Sequence, residues 1–508
     1  MMRSAMLFTA AAALASLVAC GHRLPAPVIP PLTVAVPTTG TDAPAAADPL
    51  GARPDVATPP AFKPPAPTVY TATNGVTVWL IERHALPIVS LVVTIPNGAA
   101  SDPRGKGGLA KITAQMLDEG AGARSALDVS RDVDALGAQL ATDGDADSSS
   151  ASMTVLKRNL GKGFAILGDV VARPRFEAHE WKRVHDLWEN SLKARASDPD
   201  ATARVIFRSA LFGAEHPYGH PWDGTTTSAK GVTLDDVKNF YASAWRPERA
   251  TVVAVGDVTK EELAPLLESA FASWKSPAKS QALPIVTPPA PKGPWPRVVL
   301  VDRPDAPQSV IAVVRPGVAS NDPDEAPLAR VNLAFGGSFT SRINQDLREE
   351  HGWSYGARSR VAFTRGVGQI VAWAGVFTDK TGEALKALLG DIDDLAKRGL
   401  TLDEVEKTRS QARAEMVETY EAVQSVAGRL AQSASLGLGP DYDARASVAR
   451  EAATGADLNK LAAKYFDPRE AIVVVVGPRA KVEAAITAAG LPAPQLRDAD
   501  GNVVTDKK

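Results

Sequence analysis

The chain repeats itself. FYASAWRPERATVVAVGD, residues 240–257, and AKYFDPREAIVVVVGP, residues 463–478, share one order. Each is the end of a helical pattern, an aromatic residue, a proline, then a β-branched run closed by glycine. Pro247 aligns with Pro468, and Gly256 with Gly477. Earlier in each copy, Ile88-Val89-Ser90-Leu91-Val92-Val93 leads into Gly98-Ala99-Ala100-Ser101-Asp102-Pro103. Its counterpart, residues 309–314, leads into Gly317-Val318-Ala319-Ser320-Asn321-Asp322-Pro323. The offset stays at about 220 residues. A chain built this way is expected to fold as two similar units, with the Pro-rich stretch 284–296 between them.

Within the first copy the patterning predicts strands over 76–82, 88–95, 138–145, 150–156 and 251–255. Helices are predicted over 106–119, 127–136, 177–196, 201–211 and 234–244. In the second copy strands are predicted over 359–364 and 369–376, and a helix over 381–398. The capping box Thr401-Leu402-Asp403-Glu404 then opens a long helix toward Tyr420. Hairpin-like strands followed by gathered helices indicate an α+β fold: two homologous halves, each a mainly antiparallel sheet with helices packed on one face. The expected divisions are 68–283, the linker 284–296, 297–492, and a polar, disordered tail 493–508.

Residues 1–20 read as a leader. Arg3 gives a positive start, residues 6–14 are apolar but too few to span a bilayer, and Leu17-Val18-Ala19-Cys20-Gly21 reads as a bacterial lipobox. Cys20 is the only cysteine, so no disulfide is available and lipidation at Cys20 is the expected use of its thiol. Residues 21–67, rich in Pro and Ala, are expected to be an extended tether. The implied location is the cell envelope, lipid-anchored and facing the periplasm, on the outer membrane rather than the inner. A net charge of −2 gives no electrostatic case for nucleic acid.

The stretch GGSFTSRINQDLREEHGWSYG, residues 336–356, holds the candidate binding residues. Ser341 is placed to cap a short helix that stops at His351-Gly352, and an aromatic run opens the next strand. Arg348 falls near the helix end and Tyr355 at the strand start. A guanidinium beside a phenol can clamp a peptide carbonyl, because both donate hydrogen bonds. The plainer alternative is an arginine at a helix C-terminus and a half-buried tyrosine.

This stretch resembles the C-terminal half of the pitrilysin/insulinase (inverzincin) metallopeptidases, which include the mitochondrial processing peptidase and the core subunits of the bc1 complex. The resemblance extends over most of 69–492. It implies two α+β halves in a clam-shell arrangement, with Arg348 and Tyr355 holding substrate backbone. Active members carry His-x-x-Glu-His on an early helix, where two histidines bind zinc and the glutamate serves as base. The preceding Gly-Leu-Ala is here as Gly108-Leu109-Ala110, but the motif itself is replaced by Lys111-Ile112-Thr113-Ala114-Gln115. Lys111, Ala114 and Gln115 are then expected to be surface or inter-domain residues. The downstream glutamate position falls at Asn190 or Ser191. Neither is a zinc ligand, and Glu189 alone does not make a site.

The seven histidines offer no substitute. His216 and His220 are four apart, but Pro217 and Gly219 break the helix that would align them. His179 and His185 point different ways, and Leu347 stands where a motif ending in Glu350-His351 would need histidine. No cofactor is therefore expected in this chain. The resemblance implies a non-catalytic, substrate-binding subunit of a heterodimeric peptidase, inactive alone. Its partners would be a homologous zinc-bearing subunit, the peptide substrate, and the membrane through Cys20. The alternative is a non-enzymatic envelope assembly or scaffold protein with the same fold.

Overall fold

The β-branched runs that mark the repeat form the centres of two six-stranded sheets. In the computed structural model, which describes residues 62–278 and 280–505, the first sheet contains β1 (Thr68–Thr71), β2 (Thr77–Glu82), β3 (Ile88–Ile95), β4 (Gln139–Gly144), β5 (Ser149–Leu156) and β6 (Thr251–Gly256). Their order is β1-β2-β6-β3-β5-β4. The second contains β7 (Val298–Asp302), β8 (Gln308–Pro316), β9 (Ser354–Ala362), β10 (Gln369–Phe377), β11 (Ile472–Gly477) and β12 (Gln495–Arg497), ordered β12-β7-β11-β8-β10-β9. Strand for strand, β2, β6, β3, β5 and β4 correspond to β7, β11, β8, β10 and β9. The sheets are mixed. β2 pairs with β6 in parallel, as β7 does with β11, while both hairpin sides are antiparallel.

Why β6 and β11 are apolar at nearly every position becomes plain from what covers them. Val252 and Ala254 point into the first half's own core, with Phe164, Leu167 and Val170 of helix Leu160–Ala172. Val253 and Val255 point the other way, with Trp79, Ile81 and Val92, against Val426, Ala427 and Leu430 of helix Val423–Ser435. That helix belongs to the second half. The second sheet is served in the same manner: Val474 and Val476 of β11 and Val310 and Ala312 of β8 pack on Ile206, Phe207 and Ala210 of helix Pro199–Phe212, which belongs to the first half. A central strand covered on both faces must be apolar throughout. Each half keeps its own helices on one face of its sheet and receives one helix from the other half on the opposite face.

The stretch 284–296 is strapped down. Asn97 donates to the Pro284 carbonyl at 3.0 Å, Arg365 to Val286 at 3.1 Å, and Trp295 to Leu211 at 2.8 Å. Nearby, buried Asp147 accepts from the Tyr218 hydroxyl at 2.7 Å and from the Arg365 amide at 2.9 Å, so one carboxylate ties the halves together.

Three expectations are corrected. The tail is not disordered through its described part, because β12 pairs with β7. It occupies the edge that β1 fills in the first sheet. The helix expected over 106–119 is confined to Leu109–Gln115, because Gly108 adopts φ 94°, a left-handed turn that starts it late. The strand expected at 359–364 begins earlier, at Ser354. The leader, Cys20 and the tether up to residue 61 lie outside the described residues. Phe62, at the end of the expected tether, packs on Tyr420 at 6.0 Å between ring centroids.

Because the covers are exchanged, neither half should unfold independently. Ile206→Ala, at a fully buried position facing the second sheet, should cost about 2–5 kcal/mol. Hydrogen exchange in urea should show β3 and β6 of the first sheet losing protection together with β8 and β11. Retained protection in the first sheet while the second opens would refute this coupling.

Candidate functional site

Helix Leu109–Gln115 is positioned by a buried carboxylate. Asp102 accepts from the Gly108 amide at 2.7 Å and the Ala110 amide at 2.8 Å, and its burial holds its pKa above the usual carboxylate range. Gly108 is needed for close approach, since a Cβ there would lie 2.7 Å from the Trp188 ring. Trp188, donating to the Asp223 carbonyl at 2.7 Å, brings helix Ala178–Arg195 against this turn.

Between these helices lies a cavity of about 550 Å³ whose wall includes Lys111, Gln115, Asp118 and Ser191. Three of the five degenerate zinc positions are thus brought together. Lys111 and Gln115, one helical turn apart, face the cavity, and Lys111 lies 3.6 Å from Asp143. Ser191 donates to the Trp188 carbonyl at 2.7 Å. Asn190 is exposed and outside the wall. Ala114 is neither the surface nor the inter-domain residue expected: it is fully buried in the first half's own core.

These side chains do not fit a zinc ion. An ammonium, an amide and a hydroxyl stand where imidazole and carboxylate donors would be required. Among the described residues no group of three or more His, Cys, Asp or Glu side chains is placed to hold a metal. The histidines have other partners. His216 bonds the Pro289 carbonyl at 2.9 Å, His220 the Ala99 carbonyl at 3.1 Å, and His185 the Ala229 carbonyl at 2.8 Å. Reading the sequence passed over Asp118, whose burial and the neighbouring Glu119 charge raise its pKa to about 6. Its place three residues beyond Gln115, one turn further along, was the available signal.

The 336–356 stretch is built differently from an ordinary helix. Two π-helical turns, Leu333–Gly337 and Gln345–Glu350, flank the short helix Arg342–Asn344. Ser341 has the backbone conformation of a cap, but its buried hydroxyl makes no hydrogen bond, so the expected side-chain cap is absent. Arg342 clamps the stretch onto the helices behind it, reaching Glu404 at 2.6 Å, Asp394 at 3.2 Å and the Gly399 carbonyl at 2.6 Å. Buried Asn344 donates to the Phe339 carbonyl at 2.7 Å and accepts from the Ala357 amide at 3.0 Å, bracing the loop against β9. At Gly336 a Cβ would lie 2.5 Å from the Ser359 amide nitrogen, so only glycine permits this contact.

Arg348 and Tyr355 both reach the surface. The backbone folds back between them, with Trp353 donating to the Leu347 carbonyl at 2.9 Å and Gly352 to Arg348 at 3.1 Å. The two side chains do not hydrogen-bond each other. The Arg348 guanidinium lies 4.7 Å over the Phe339 ring, and Tyr355 meets Phe377 edge-on at 6.0 Å. Tyr355 is 77% exposed and Phe339 64%. Tyr355 is therefore not half-buried. The result is an exposed patch of hydrogen-bond donors on aromatic supports.

Beneath this patch Asp391 approaches Asp346. Burial first, and then the Asp346 charge, raise its pKa to about 7. A carboxylate whose folded-state pKa is raised contributes stability at low pH that is lost as pH rises from about 4 through about 7. Asp391→Asn removes the charge, so it should raise Tm at pH 8 by about 1 °C for each kcal/mol recovered and by less at pH 5. A thermal scan showing the same shift at both pH values would exclude this account. Asn344→Ala should cost about 1–3 kcal/mol by leaving its partners unsatisfied. Proteolysis of residues 336–356 should accelerate accordingly, and an unchanged cleavage rate would count against the brace.

Comparison with known proteins matches two successive stretches of the chain. Residues 77–216 match the family described as insulinase (peptidase family M16), and residues 231–412 match the peptidase M16 inactive domain. An uncharacterized zinc protease of Mycobacterium tuberculosis is 25% identical over 368 residues, 72% of this chain and 83% of that protein. The non-peptidase homolog YmxG of Helicobacter pylori is 23% identical over 285 residues, 56% of this chain and 64% of the relative. The fold matches a protease from Helicobacter pylori (TM-score 0.77, 19% identity, 82% of this chain and 100% of that one). It also matches a peptidase M16 inactive domain from Pseudomonas fluorescens (TM-score 0.74, 22% identity, 81% and 98%). With residues 77–216 and 231–412 both matched by models of one family, this chain belongs to the insulinase family of peptidases, family M16.

Proposed function

We propose that this chain is the substrate-binding, non-catalytic member of a zinc-dependent peptidase pair. The observation that carries this reading is a contrast within one molecule. The cavity on helix Leu109–Gln115 has Lys111, Gln115 and Ser191 at the positions where zinc ligands would be required, while half-exposed Arg348 and exposed Tyr355 stand on a rigidly braced support. An arginine and a phenol can both donate hydrogen bonds, which suits the carbonyls of an extended peptide. Their share of catalysis would be to hold the backbone in place over zinc bound by a homologous partner subunit. Arg342 and Asn344 act as positioning residues for that pair. Lipidation at Cys20 would tether the chain to the periplasmic face of the envelope, the outer membrane being favoured. The names of relatives are mixed, with zinc protease beside non-peptidase homolog, and both are compatible with a family in which zinc is carried by some chains and not others.

The test is peptidase activity with zinc quantified, for the purified chain alone and then with a zinc-binding homologue from the same organism. The chain alone should be inactive and hold no stoichiometric zinc. The pair should cleave, and Arg348→Ala with Tyr355→Phe should lower kcat/KM at least about tenfold while the complex still forms. Zinc and activity in the chain alone would sink the proposal. An active pair indifferent to the double substitution would favour a scaffold role instead.

A further inference from the structure

The structure holds a second cavity, of about 510 Å³, between helix Pro199–Phe212 and β9. Arg204 and Arg208, one turn apart on that helix, line it together with Arg360 of β9. Among the described residues none of the three has a carboxylate within ion-pair distance. This is unusual within the same cavity. There Arg429 is paired with Asp443 at 2.6 Å. The carboxylates that act on the trio are engaged or distant. Asp223 is held by Arg195 at 3.0 Å, and Asp200 feels Arg204 without forming an ion pair. The acidic groups of the far wall are also committed: Asp145 to the amides of Asp147 and Ser148, Asp147 to Tyr218, and Glu325 to Tyr442.

Arg208 is the most constrained of the three. Its guanidinium lies 3.8 Å over the Trp222 ring, and burial with the charges of Arg360 and Arg204 pushes its pKa down to about 10. Gathering like charges at a partly desolvated wall is costly unless an opposite charge joins them. Beside the cations the wall is aromatic, formed by Phe207, Phe212 and Trp373. Such a wall offers a flat apolar surface next to a focus of positive charge. Arg204 and Arg360 are exposed, so the cavity opens to solvent.

We propose that this cavity binds an organic anion, a carboxylate or phosphate carried on a flat apolar body, with Arg208 and Arg360 holding the charge and Phe207 and Trp373 the body. The site is separate from the Arg348–Tyr355 patch and does not rest on the peptidase-pair reading. Guanidinium groups present paired donors that match either anion.

The test is calorimetric titration of the chain, without any partner, with phenyl phosphate, 3-phenylpropanoate, inorganic phosphate and the neutral 3-phenylpropanol. One of the two aromatic anions should bind one-to-one and at least tenfold tighter than the alcohol or phosphate alone. Whichever does so identifies the headgroup. Binding should weaken with added salt. Arg360→Gln, at an exposed position, should reduce affinity at least tenfold with Tm unchanged. Arg208→Gln should do the same, and the Arg360 variant keeps the test decisive if Arg208→Gln unfolds. Equal binding of the alcohol, equal binding of phosphate alone, no binding of either aromatic anion, or an unaffected Arg360→Gln variant would each overturn the proposal.

Discussion

The whole molecule depends on one exchange of hydrophobic cover. Each sheet turns one apolar face to its own helices and the other to a single helix supplied by its twin. Fully burying one valine, leucine or phenylalanine is worth about 1.5–3 kcal/mol. Withdrawing a helix that buries Ile206, Phe207 and Leu211, or one that buries Val426 and Leu430, would therefore remove an amount comparable to the entire stability of a typical domain, about 5–15 kcal/mol. The duplication is thus a single cooperative body, in which two copies of one unit complete each other.

That interlock determines what the site residues can do. Helix Leu109–Gln115 and the 336–356 stretch lie in different halves, each on its own sheet. Asp147, Tyr218 and Arg365 join the halves through buried hydrogen bonds. A buried carboxylate with satisfied partners is costly to disrupt, so the relative placement of the halves is held by directional contacts as well as by packing. Movement of the Arg348–Tyr355 patch toward a substrate would then be movement of the body as a whole or of the exposed side chains.

Much of this was legible in the residues, and what was not has physical reasons. The α+β class and the repeat were readable because β-branched runs closed by Gly256 and Gly477 recur at a fixed offset. The mismatch of Lys111, Ala114 and Gln115 with zinc was readable from chemistry alone, because an ammonium, a methyl group and an amide are not zinc donors. The exchange of helices was not readable, because an amphipathic helix shows that it has a partner but not which sheet. Ser341 looked like a cap, yet local rules showed neither the π-helical turn before it nor the one after it. Asn344 looked like an ordinary polar helix residue, and its role as a brace depends on Phe339 and Ala357 meeting across a loop. Polar Gln495 and Arg497 hid a strand, because β12 is stabilised by pairing with β7 more than by burial.

The order of the chain gives the exchanged helices a temporal cost. β6 is complete at Gly256, but the helix that covers its outer face ends at Ser435. At translation rates of roughly 5–20 residues per second, the first sheet waits roughly 10 to 35 seconds with one apolar face open. The second sheet lacks β12 until Arg497 has emerged. A nascent chain of this design stays adhesive and incompletely folded until these late elements have been made, so its survival depends on whatever shields that face in the interval.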